Sequence, residues 1–146
     1  MIPLSVPNID GNEWKYVKDC LDTGWVSSAG SYGKKFEDVI QNYTGSKYAI
    51  ACMNGTAGLQ VSLKLADVSS KDIVIAPNLT FVATLNSIAY INATIFLIDI
   101  CSSTWQLDVD LLKKWLENNT STKSINGKLV TIEKTTGKKI GAIMPV

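Results

Sequence analysis

Apolar residues recur along this chain at two different periods, and the alternation between them sets the expected architecture. Over residues 11–21, Trp14, Val17 and Leu21 fall at helical spacing, and Gly24 follows as a stop. Over 35–43 a second stripe, Phe36, Val39, Ile40 and Tyr43, predicts another helix that ends before Gly45. The stretch between them, Gly24-Trp25-Val26-Ser27-Ser28-Ala29-Gly30, is short and glycine-flanked and predicts a loop. Residues 48–53 form a short apolar run bounded by turn residues, which predicts a buried strand. A helix is expected over 55–66, with Leu59, Ser62, Leu63 and Ala66 on its inner face.

The alternation then continues. Strands are expected at 73–76 and 94–98, and helices at 82–90 and 109–117, the latter opened by Asp108. Residues 129–132, with Thr135-Thr136-Gly137 as the turn, predict a small hairpin running into a strand at 140–144. Strands alternating with helices of this length imply βαβ units, an α/β fold with a largely parallel sheet.

Composition narrows the chemistry. The 146 residues suffice for one domain with a real core. Apolar residues make up 46% of the chain and charged residues 18%, so much of the surface is expected to be covered. A net charge of +1 without a basic stripe argues against nucleic-acid binding. There is no histidine, which removes Ser-His and Cys-His catalysis and His-ligated metals. Cys20, Cys52 and Cys101 lack CxxC spacing and read as small buried residues of a reduced, cytoplasmic protein. Met1 leads into Pro3, Pro7 and Asp10 without a signal peptide, and no apolar run is long enough to span a membrane.

Three segments carry candidate chemistry. Asn54-Gly55-Thr56-Ala57-Gly58 lies at the start of a predicted helix, where small residues leave the first backbone N–H groups of Thr56 and Ala57 open to a phosphate. The same residues would also serve as a plain glycine-containing turn. Pro77 to Thr84 follows the next strand and carries Phe81 at a helix start, able either to lie on a planar ring or to pack the core. The third is the loop at Trp25, Val26 and Ser27, which reads equally as a connection with a partly buried tryptophan.

In this order the segments resemble the DegT/DnrJ/EryC1/StrS family of pyridoxal-phosphate (PLP) sugar aminotransferases. Pro7-Asn8-Ile9-Asp10-Gly11-Asn12-Glu13-Trp14 is similar to the opening of the family's first helix, and Gly24 to Ser28 with Phe36-Glu37 to its substrate loop and second helix. Ile98-Asp99-Ile100 with Thr104-Trp105 and Leu107-Asp108 is similar to a further strand and loop. The resemblance implies the start of an aspartate-aminotransferase-like large domain (PLP fold type I), with helices and substrate loop in 1–45 and the sheet in 46–146. It implies PLP as cofactor, held by Gly55, Thr56, Ala57 and Phe81, and a sugar site bordered by Trp25, Val26 and Ser27. A nucleotide-linked 4-keto-6-deoxy sugar and glutamate are the implied substrates, and a homodimer the implied assembly. The hairpin around Lys134-Thr135-Thr136-Gly137-Lys138-Lys139 resembles one branch, which acts on a UDP-linked N-acetylglucosamine derivative. The family's cofactor-bonding lysine and the acid facing the ring nitrogen are expected downstream, and a dehydratase of the same family carries histidine in place of that lysine. The last strand, running into Pro145-Val146 with no helix after it, makes an inactive amino-terminal piece the expectation.

Overall fold

A computed structural model describes residues 2–146. The chain divides into two compact units, Met1–Ala51 and Cys52–Val146. The first contains helices α1 (Glu13–Thr23) and α2 (Ser31–Thr44). Each ends on a glycine in the left-handed region, Gly24 at φ 73° and Gly45 at φ 70°, a conformation that side chains resist. The helices meet through the Tyr16 and Tyr32 rings, 5.1 Å between centroids, and through the Tyr32 hydroxyl donating to Asp19 at 3.0 Å. Neither helix has a buried residue. Within the first unit Ala51 donates its N–H to the Glu37 carboxylate at 2.9 Å.

The expected strand at 48–53 is absent. Tyr48, Ile50 and Met53 are exposed, and the five-stranded sheet contains no strand that pairs with this segment. An apolar run becomes a strand only where a neighbour completes its ladder. The cysteine expectation also fails, since Cys52 is exposed and Cys20 and Cys101 are half-buried.

The second unit holds α3 (Gly55–Leu65), β1 (Asp72–Pro77), α4 (Val82–Ala89), β2 (Thr94–Ile98), α5 (Val109–Asn119), β3 (Thr120–Ile125), β4 (Lys128–Glu133) and β5 (Lys139–Ile143). Strand order is β2-β1-β5-β4-β3, with β1 parallel to both β2 and β5. All six residues of β1 are buried. Alternate β1 side chains feed two cores, as the two-residue period of a strand requires. Val74 and Ala76 pack with Leu63 of α3, Ile88 of α4 and Met144, while Ile73 and Ile75 pack with Ile98, Leu107 and Leu112 of α5. The sheet is thus covered by α3 and α4 on one face and by α5 on the other.

The predicted hairpin forms, but β4 and β5 share only one antiparallel pair, Ile132 with Lys139. The longer hairpin joins β4 to β3, which polar Thr120-Ser121-Thr122-Lys123-Ser124 did not announce. Its turn is Asn126-Gly127, at φ 51° and 77°, the mirror-image turn that suits twisted strands.

At the β4–β5 turn the Glu133 carboxylate accepts the N–H groups of Thr135 and Thr136 at 2.8 and 2.6 Å and the Thr136 hydroxyl at 2.6 Å. Hydrogen bonding, led by the Thr136 side chain, holds this carboxyl at about 2, below its ordinary 4.5. A depressed acid favours the fold above its unfolded value, and that contribution fades as the pH falls from 4.5 through about 2. Glu133→Gln should therefore flatten the acid limb of a thermal-midpoint profile over that window. An unchanged limb would remove Glu133 as a cause of acid destabilisation.

Candidate functional site

The second unit places the first turn of α3 and the start of α4 toward the carboxyl edge of β1. α3 runs down to the start of β1 through a short turn in which Val68 donates to the Leu63 carbonyl at 3.1 Å. Its first turn therefore lies toward the opposite, carboxyl end of that strand. α4 leaves the carboxyl end of β1 directly and returns alongside α3, with Leu63 and Ile88 in one core. In open α/β sheets this edge is where ligands bind.

Asn54 caps α3 from an extended conformation, and its side-chain oxygen accepts the Ala57 N–H at 2.9 Å. The Gly58 N–H goes to the Asn54 carbonyl at 3.2 Å. Ahead of these, the N–H groups of Gly55 and Thr56 in the first turn remain, beside the Thr56 hydroxyl. This corrects one expectation: the Ala57 N–H is engaged by Asn54 and does not stand open. The helix start is not plugged, since Gly55 is exposed and a Cβ added there would meet nothing within 4 Å. Two donors, a hydroxyl and the positive end of a helix dipole fit an anion such as a phosphate monoester.

Phe81 is the residue before α4, extended at φ −68° and ψ 136°, and its ring is 78% exposed. It does not pack the core of the second unit. Behind it the Thr80 hydroxyl bonds the Thr84 hydroxyl at 3.1 Å and also the Val146 carbonyl, fixing the turn. The fully buried Ser87 donates to the Thr84 carbonyl at 2.7 Å.

In the first unit, Trp25, Val26 and Ser27 line an apolar cleft of about 1010 Å3 between α1 and α2, together with Leu21, Phe36 and Val39. Trp25 and Val26 are exposed, and the loop turns on a Gly30 N–H donated to the Ser27 carbonyl at 3.3 Å. The sequence placed this loop correctly between its helices.

No lysine here has the desolvated setting of a covalent catalyst. The fourteen lysines are exposed or half-buried. Lys138 donates to the Thr94 hydroxyl at 2.7 Å and Lys139 pairs with Asp72 at 3.3 Å, both at the amino ends of strands. Among the described residues no group of His, Cys, Asp and Glu side chains could hold a metal, and no helix is long and apolar enough to cross a membrane.

Sequence reasoning missed Trp105. It stands in the loop after β2 with φ +59° and 68% of its surface exposed. A tryptophan between polar neighbours gave no reason to expect a left-handed backbone. In the same loop, hydrogen bonding to Ser103 draws the Cys101 thiol below its ordinary range.

Comparison with known proteins gives a consistent result. Residues 7–146 match the model of the DegT/DnrJ/EryC1/StrS aminotransferase family. The chain is 42% identical over 112 residues to GDP-perosamine synthase of Caulobacter vibrioides, covering 77% of this chain and 30% of that protein. It is 38% identical over 119 residues to GDP-perosamine synthase of Escherichia coli, covering 82% of this chain and 33% of that protein. A structure of a Streptococcus pneumoniae protein assigned as a sugar aminotransferase, solved in its PLP form, superposes with a TM-score of 0.70 at 33% identity. That superposition covers 77% of this chain and 29% of the other. The chain thus spans about a third of the length of its curated relatives.

Proposed function

The chain belongs to the DegT/DnrJ/EryC1/StrS aminotransferase family, whose members are PLP-dependent enzymes of fold type I, and on that premise we propose that it forms the phosphate-binding part of a nucleotide-sugar aminotransferase. The observation that carries this reading is the open first turn of α3. The Gly55 and Thr56 N–H groups and the Thr56 hydroxyl would hold the PLP phosphate, with Asn54 keeping that turn in place through the Ala57 N–H. Phe81 would lie on the cofactor ring, a contact worth on the order of 0.5–1.5 kcal/mol beyond burial. When bound, PLP supplies the electron sink that lets an amino group move between glutamate and a keto carbon. The fold would contribute position: the first turn of α3 would neutralise the phosphate and Phe81 would lie against the cofactor ring.

Trp25, Val26 and Ser27 would border the sugar. The lysine that bonds the cofactor would come from outside residues 1–146, because none of the lysines here is desolvated. The acceptor is read as a nucleotide-linked 4-keto-6-deoxy sugar and the donor as glutamate, in a cytoplasmic homodimer. The names of the relatives favour a GDP-linked sugar over the UDP-linked one suggested by the hairpin.

The experiment is an assay of the protein as the cell makes it, loaded with PLP and given glutamate with GDP-linked or UDP-linked 4-keto-6-deoxy sugar. Mass spectrometry should find an amino sugar and an equal amount of 2-oxoglutarate. Loss of one oxygen from the sugar without nitrogen gain, with 2-oxoglutarate and ammonia released, would show the dehydratase reaction, and no change in either sugar would overturn the reading.

A further inference from the structure

The loop after β2 and the turn carrying Phe81 leave the sheet side by side, because Asn78 donates its N–H to the Ile98 carbonyl at 2.9 Å. Both therefore open at the carboxyl edge, from neighbouring strands about 5 Å apart. The loop is tightly closed. Cys101 donates to the Gln106 carbonyl at 2.8 Å, Trp105 to the Cys101 carbonyl at 2.8 Å and Asp108 to the Asp99 carbonyl at 3.0 Å. An antiparallel bridge between Ile100 and Leu107 seals its base. This frame holds Trp105 at φ +59°, a conformation in which a bulky side chain is an outlier and glycine or asparagine would be at ease. Strain kept by an over-determined loop points to a use for the strained residue.

The surroundings indicate what that use is. The indole is 68% exposed, and its neighbours Ser102, Ser103, Thr104 and Gln106 are exposed and polar. A surface meant for an apolar protein partner would surround the ring with more apolar groups. An exposed indole in a loop of polar residues suits a nucleotide base, which offers a π-face and a polar rim.

We propose that Trp105 is the stacking platform for the base of the nucleotide-linked substrate, a proposal that rests on the function read above. Phe81 and Trp105 then divide the edge between them: the first faces the cofactor and the second the nucleotide.

The test uses GDP and UDP as probes, titrated into the protein as the cell makes it, loaded with PLP. The indole N–H signal that disappears in Trp105→Phe should shift when the preferred nucleotide binds to the parent. Trp105→Ala should weaken that nucleotide roughly tenfold or more, the range seen when a base loses an aromatic partner. Trp105→Gly should weaken it equally, while its thermal midpoint is no lower than that of Trp105→Ala, because glycine accepts the left-handed backbone. Trp105→Tyr should recover most of the affinity. Unchanged nucleotide affinity in the alanine and glycine variants would overturn the proposal, even with transamination intact. So would absence of nucleotide binding by the parent, or a change of sedimentation with unchanged affinity, which would make Trp105 a protein contact. Loss of transamination activity with nucleotide stacking preserved would instead sink the functional reading and leave the platform.

Discussion

Replacing Gly55 with aspartate should weaken PLP binding by about two orders of magnitude or more while leaving the fold as stable as before, or slightly more so. The two effects separate because they arise from different features of one position. A Cβ at Gly55 meets nothing within 4 Å, so the new side chain has room. Gly55 opens α3, where a carboxylate interacts favourably with the helix dipole by about 0.3–1 kcal/mol. The same carboxylate stands where the phosphate would bind. Two like charges about 4 Å apart near a protein surface repel by about 4 kcal/mol, and each ~1.4 kcal/mol is a tenfold change in affinity. Gly55→Ala is the control, since it adds bulk without charge and keeps the N–H groups. PLP titration followed by absorbance, beside thermal midpoints without PLP, reads both effects. Parent-like PLP affinity in Gly55→Asp would place the phosphate elsewhere. A fall in the midpoint without PLP would mean that the turn itself had been damaged.

The part of the fold legible in the sequence was the part built around buried apolar residues. The strand at 94–98 was read to the residue, and β1, α3 and α4 within one or two positions, because β1 is buried along its whole length and α3 and α4 cover one face of it. The cap on α3 follows from side-chain chemistry alone, since an asparagine just before a helix readily accepts from its first turn. Three features were not legible. The run 48–53 is apolar, but hydrophobicity signals burial and does not supply a ladder partner. β3 is an edge strand mostly open to solvent, so its hydroxyl-rich sequence lacks the alternation that marks a half-buried strand. The start of α2 at Ser31 was missed because Tyr32, Gly33 and Lys34 precede the apolar stripe. For the candidate site, residue types suggested an anion turn and an aromatic neighbour. Which N–H groups stay open depended on the reach of the Asn54 side chain, a geometric fact that spacing does not carry. The left-handed Trp105 depended on a loop closed by backbone hydrogen bonds, which leave no trace in composition.

Expressed alone, residues 1–146 should fail to hold α1 and α2, and the chain should self-associate. The two helices have 11 and 14 residues, lengths at which helices isolated in water are marginal. Tertiary burial would have to stabilise them, yet Trp14 is 72% exposed, Phe36 58%, Val39 62% and Tyr43 88%. Fully burying side chains of this kind contributes about 1.5–3 kcal/mol each. Leaving several of them out of a core therefore forgoes on the order of 10 kcal/mol, the scale of a whole domain's stability. The second unit differs, because Val74, Ile75 and Ile88 are fully buried. Hydrogen exchange should accordingly split the chain. Amides of α1 and α2 should exchange at near-unprotected rates, while those of β1 should persist far longer. Sedimentation should show association that rises with concentration, since apolar patches this large favour it. In a longer form of the protein that covers those faces, α1 and α2 should gain protection and the association should disappear. A monomer of residues 1–146 whose α2 amides are as protected as those of β1 would show that the two helices need no cover, and would sink the prediction.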